Sequence, residues 1–197
     1  MKYTLFLLLI SFSSCIGSLN PISENEKEYV IRNEIFGRWK EKDDNTEYII
    51  ERTKNAYFHI TVIDKDGKSG SGQLPVSMYD TSRFTAFMIK KNNLYFLDCF
   101  ADKDFIKKSS FGKNAANTLL PIHMIFKILS IKDNELRFST LDPDLFKNQA
   151  AKKLVSIKHE ILTGDEILLT EPPGKLQQKL SNANAPFGEV SIFQRIK

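Results

Sequence analysis

The side chains through which this chain could move a proton or hold a metal are three histidines, two cysteines and one acidic cluster. His59, His123 and His159 share no ligand spacing, so only folding could gather them around one ion. DCFADKD carries Asp98, Asp102 and Asp104 on a strand end and loop, where they either hold a hard cation or form a solvated acidic loop. Asp64-x-Asp66-Gly67 begins like a calcium loop, but its glycine comes two places early, Ser69 stands where that glycine belongs, and no Glu closes the site. GKSGSG contains Gly67-Lys68-Ser69, yet a phosphate loop needs a glycine five positions before that Gly, where Val62 stands. Nucleophilic catalysis has no Gly-x-Ser-x-Gly, and Ser109-Ser110 lie in a polar loop. Paired acids for glycosidic work cannot be assigned from spacing alone. The chain therefore commits to no catalytic residue, no metal ligand and no cofactor.

Two of these side chains sit in apolar surroundings. Cys99 lies in LYFLDCF, where a buried small hydrophobe is the first reading and a catalytic thiol the second, with no His nearby in sequence to activate it. His123 lies in LLPIHMIF, where a titratable group is costly unless hydrogen-bonded. It is either a satisfied core histidine or a polar group inside a cavity that orients a ligand.

The elements that must position these groups read as strands joined by tight turns. TEYIIERT (46–53) is followed by a turn at Lys54-Asn55. In AYFHITVID (56–64), Phe58, Ile60 and Val62 face one way and Tyr57, His59, Thr61 and Ile63 the other. DKDG (64–67) supplies a hairpin turn, and SGQLPVSMY, FTAFMIKK and LYFLDCF follow, the last two joined at Asn92-Asn93. PIHMIFKILSI (121–131) is long enough for one bent strand or two, and Asp133-Asn134 turns it back into ELRFSTL (135–141). After two helices and the short strands SIKHEIL and EILLT, joined at Thr163-Gly164-Asp165, the chain ends in EVSIFQRI (189–196). The spacing predicts a mainly β fold, an antiparallel meander curling into a barrel or half-barrel, with helices near 143–153 and 172–183. Asp142-Pro143 caps the first helix, which would bury Leu145, Phe146 and Leu154. In the second, Leu176 and Leu180 share a face.

Composition bounds the rest. With 15 Phe and 6 Tyr the chain is aromatic-rich, and in a small barrel inward aromatics either fill the centre or line a pocket. The formal charge of +4 is spread along the length without a Lys/Arg block, which excludes a nucleic-acid stripe. Met-Lys, the apolar run TLFLLLI and small residues up to Ser14 build a secretory signal. Its apolar run is shorter than the roughly 20 residues a membrane span needs.

The ending Phe12-Ser13-Ser14-Cys15 resembles a bacterial lipoprotein signal, with Phe12 where Leu is usual. That resemblance implies cleavage after residue 14, acyl chains on the Cys15 sulfur and amine, and attachment to a membrane of the cell envelope. Ile16, in place of the Asp that retains such proteins at the inner membrane, implies the outer one, facing periplasm or cell surface. Residues 15–34 then read as a polar tether and 35–197 as one barrel domain.

IFGRWKE opens the β region, and Gly37-Arg38-Trp39 resembles the Gly-x-Trp start of lipocalin-like, calycin-type barrels. In that family the Trp closes one barrel end and an Arg of the last strand lies across its ring; Arg195 is the residue here that matches. The order LYFLD, LLPIHMIFKI, LRFSTLDPDLF, ILLTEPPGKLQQKL and a final FGE strand resembles a family of small exported bacterial proteins without an established activity. These resemblances imply a lipid-anchored, non-enzymatic envelope barrel that takes a small apolar ligand. The alternatives are a scaffold that meets an envelope protein through its surface, and a hydrolase whose site the sequence does not display.

Overall fold

The computed structural model describes residues 16–41, 46–53, 55–64, 80–108, 120–162 and 166–197. Eleven strands form in chain order: β1 (Gly17–Ser18), β2 (Gly37–Glu41), β3 (Glu47–Arg52), β4 (Phe58–Asp64), β5 (Asp80–Lys91), β6 (Leu94–Ala101), β7 (His123–Lys132), β8 (Glu135–Leu141), β9 (His159–Ile161), β10 (Ile167–Leu169) and β11 (Phe187–Ile196). Among the described residues, three α-helices accompany them: α1 (Lys103–Lys108), α2 (Pro143–Ala151) and α3 (Pro173–Leu180).

Strands β2 to β8 and β11 each pair antiparallel with their neighbours, and β11 returns to β2, closing an eight-stranded barrel. Period-two alternation sets which side chains face inward. Trp39, Ile50, Phe58, Ile60, Ala86, Met88, Leu97, Cys99, Ile128, Leu136 and Phe193 form the inner core. The intervening residues of β5 to β7 face outward, yet they are buried too, in a second core outside the barrel wall. Phe87, Ile89, Phe96 and Ile125 pack there against Phe146 of α2, Leu176 and Leu180 of α3, and Ile167 and Leu169 of β10.

The turns follow local chemistry. Asn92 and Asn93 both take positive φ, 49° and 62°, in the β5–β6 hairpin, a conformation that asparagine tolerates in tight turns. The Leu145 N–H donates to Asp142 Oδ1 at 2.8 Å, so Asp142 caps α2, and Pro143 occupies its first turn. β7 is a single strand, bent by a register shift between Ile128 and Ser130 against β8.

Four expectations are corrected. Within the expected tether, residues 16–34 are not loose: Ile16 and Ile22 are buried, and β1 pairs antiparallel with β7 and parallel with β10. This strap runs along the barrel wall, with Val30 N–H donating to Met88 O at 2.8 Å. Leu154 falls beyond the end of α2 and is 56% exposed, so the helix buries Phe146 without it. The two helices end at Ala151 and Leu180, short of the expected ends at 153 and 183. Finally, the acidic stretch after Ala101 coils into α1, because Asp102 Oδ1 accepts the N–H groups of Asp104 and Phe105. The turns at 54–55, 64–67 and 163–165 fall wholly or partly outside the described residues, and all of SGQLPVSMY does.

Trp39 lies in β2 between Tyr48 of β3 and Arg195 of β11. Its indole is buried, with Nε1 donating to Ile35 O at 2.8 Å, and Arg195 Cζ lies 4.2 Å from the ring centroid. The Arg195 guanidinium donates to the carbonyls of Glu34, Phe36 and Asp133, joining the strap, the start of β2 and the β7–β8 turn. Gly37, at φ +132°, is required here, since a Cβ would collide with that guanidinium. Arg195→Ala is expected to cost about 3 kcal/mol from the lost stacking and charged hydrogen bonds. Arg195→Lys should recover little, because an ammonium cannot span three carbonyls. Denaturant unfolding of the three proteins checks both.

Glu171 ties β10 and α3 together. Buried, it accepts the Lys179 ammonium and the Lys158 N–H, which hold its carboxyl below the usual value of 4.5. A carboxylate held low contributes stability that is present at neutral pH and lost as pH falls through its folded-state pKa. Glu171→Gln should lower the melting temperature at pH 7 and flatten its decline below pH 4.5, measured by thermal scans across pH.

Candidate functional site

The inner wall changes character along the barrel axis. At the Trp39 end, β5–β6 and β7–β8 are joined by short hairpins, and the large side chains Trp39, Ile50, Phe58, Met88 and Leu136 are buried, while Tyr95 and Ile131 beside those hairpins are half-buried. Toward the other end Tyr48, Val62, Phe84, Met124, Phe126 and Phe138 pack on the inner core while remaining half-exposed. Several of these rings touch in series: Phe126 meets Phe138 at 5.5 Å, Phe138 meets Phe193 at 4.8 Å, and Phe193 meets Tyr48 at 4.4 Å. Such a surface carries apolar area and ring faces that could meet a small molecule.

The mouth has a lip on one side. Beyond the point where β7 parts from β8, β7 pairs with β1, which pairs with β10, which pairs with the edge strand β9. The register aligns Cys99, Met124, Gly17, Leu168 and Glu160 across five strands, so the inner wall continues outward onto this small sheet. Gly17 keeps the row closely packed, since a Cβ there would lie 2.7 Å from Ile122 Cγ2.

His123 lies on the opposite face of β7 from Met124. It points into the outer core, where its Nδ1 is 2.7 Å from Asp98 Oδ1 and its ring centroid 5.1 Å from that of Phe100. The hydrogen-bonded core histidine is therefore the reading that describes its surroundings, and a ligand inside the barrel would not meet it. Asp98 is wholly buried, and its Oδ2 accepts the Ile22 N–H at 2.8 Å. Burial pushes the Asp98 carboxyl up, opposed by these two hydrogen bonds. The pair thus clasps the N-terminal strap onto the barrel.

The other sequence candidates are dispersed. His59 and Arg83 approach Asp102 Oδ2 at 3.5 and 3.3 Å on the outer wall. His159 Nδ1 is 2.8 Å from Ile157 O and its ring packs on Phe146. Asp104 is exposed beside Lys107. Among the described residues no group of three or more His, Cys, Asp or Glu could hold a metal ion. Cys99 is buried on the inner wall, and burial pushes its thiol well above the ordinary range, which makes it a poor nucleophile. Cys15, the loop at 65–72 and Ser109-Ser110 lie outside the described residues. A shallow cavity of about 190 Å³ between the strap and α3 is lined by Ser23, Glu28 and Gln177. Glu28 already accepts from the Ser23 hydroxyl and the Gln177 amide, so this is a seam between packed elements.

No family model matches the chain, and neither a curated protein nor a solved structure matches it. The closed antiparallel eight-stranded barrel is consistent with a calycin-like fold.

Asp98→Ala would leave His123 and the Ile22 N–H unpaired in the outer core and should cost about 3–5 kcal/mol. Asp98→Asn, which still offers an acceptor to Ile22, should cost less. Limited proteolysis should cut within residues 20–30 much faster in the alanine variant, because the strap loses its clasp.

Proposed function

We propose that this protein is a non-enzymatic binding module of the bacterial cell envelope, holding a small apolar ligand at the half-exposed aromatic end of its barrel. The observation that carries the reading is the set of half-buried aromatic side chains packed on the inner core, Tyr48, Phe84, Phe126 and Phe138. A closed barrel whose interior is plugged at one end has a single axial approach for a ligand. The inward aromatics supply a large contact area per side chain at low entropic cost. The resemblance of residues 1–15 to a lipoprotein signal supports attachment through acyl chains on Cys15, each buried methylene adding about 0.8 kcal/mol.

The test is uptake of oleate and of an anilinonaphthalene dye by the full mature chain. Binding should saturate at one ligand per chain. Phe138→Ala should weaken it about tenfold, as loss of a ring face in a pocket does. Val190→Ala, on the exposed outer wall, should leave it unchanged. A folded protein that takes up neither probe overturns the reading. Anchoring is checked separately, by mass spectrometry of the mature N-terminus and by release of a Cys15→Ala protein from membranes.

A further inference from the structure

The lip of the barrel mouth presents apolar side chains outward. Gly17, Ile122 and Leu168 share its mouth-side face, with the Leu168 Cδ1 and Ile122 Cγ2 both within 4 Å of the place a Gly17 Cβ would take. Leu162 continues that face, because its N–H donates to Glu166 O and it stands two positions beyond Glu160, the partner of Leu168. Leu162 is 44% exposed, Leu19 just after β1 is 38%, and Leu120 just before Ile122 is 66%. Glu160, opposite Leu168 on the edge strand, puts a charge at the border of the apolar area.

The same place is where the rest of the chain joins the fold. Ile16 is buried beside β1, which pairs with the mouth end of β7, so acyl chains carried on Cys15 would leave the chain two residues before Gly17 of the lip. A bulk of hydrocarbon attached one residue before Ile16 cannot be held far from the lip, since consecutive Cα atoms are about 3.8 Å apart. Exposed leucines clustered at the point of attachment are what a lipid surface would cover.

We propose that this lip is a docking surface for a phospholipid bilayer, so that the barrel mouth faces the membrane and receives its ligand, an acyl chain, from it. The inference rests on the anchored-barrel reading and adds orientation and ligand class. With the mouth facing lipid, an acyl chain passes from the bilayer over Leu168 and Met124 to the ring series of Phe126 and Phe138 along one continuous apolar sheet face. The opposite orientation would place Asn92-Asn93 and Asp133-Asn134, the polar turns of the closed end, against lipid.

The experiment uses phosphatidylcholine vesicles with brominated acyl chains, which quench indole at short range. Protein purified from membranes is reconstituted with its native N-terminus, and a Cys15→Ser protein is added to the same vesicles. A Leu120→Trp variant should lose about half its added emission, the depth reached by an interfacial apolar side chain. Trp39, at the far end of the barrel, should lose none and serves as the internal control. Leu19→Asp with Leu162→Asp should weaken vesicle binding of the Cys15→Ser protein about tenfold while its melting temperature stays within a few degrees. Quenching of Trp39, or an unquenched indole in the Leu120→Trp variant on vesicle-bound protein, overturns the orientation. Quenching at position 120 in a protein that carries no acyl chain or takes up no oleate leaves the docking surface standing, and places the failure in the anchor or the ligand reading instead.

Discussion

The centres of strands β5 and β6 and the start of β7 are covered on both faces, and the rest of the molecule follows from that constraint. Ala86, Met88, Leu97 and Cys99 look into the barrel, while Phe87, Ile89, Phe96 and Ile125 look into the outer core. A sheet covered on both sides needs a second layer. Here that layer is assembled from distant pieces of chain: the strap at 16–36, the helices α2 and α3, and the short strands β9 and β10. The one carboxylate caught in the sandwich, Asp98, is tolerable because His123 and the Ile22 N–H meet both of its oxygens.

The barrel is asymmetric end to end. At the Trp39 end the chain reverses in tight hairpins, and Arg195 bridges three separate backbone segments over the indole. At the other end the links from β4 to β5, from β6 to β7 and from β8 to β11 are long, and the wall gains an apron of three short strands. The same period-two pattern yields fully buried side chains such as Trp39, Phe58 and Met88, and half-buried ones such as Tyr95, Phe84 and Phe126.

Much of the cylinder is legible in the sequence, because its strands obey period two and its turns carry Asn, Asp and Pro at the required places. ELRFSTL coincides with β8, and Asp142 caps α2 through its own side chain. The strap is illegible for a physical reason. Ile16, Ile22 and Ile35 recur at no period, and the Ser, Asn and Glu between them look like solvent-exposed chain although Ser18 and Ser23 are buried. β1 and β10 are too short to show alternation, and their parallel pairing joins segments far apart in sequence. His123 is legible as a buried group needing a partner. That partner, Asp98, is brought to it by the pairing of β6 with β7, and sequence offers no means of finding it.

The cylinder is sealed by β11, the last strand in chain order, which alone joins β8 to β2. Until that strand emerges, the growing chain carries two bare sheet edges, templates for pairing with other chains. The long sequence separation between Trp39 and Arg195 also raises the contact order and slows closure. A chain built this way stays open between β2 and β8 until β11 pairs with both.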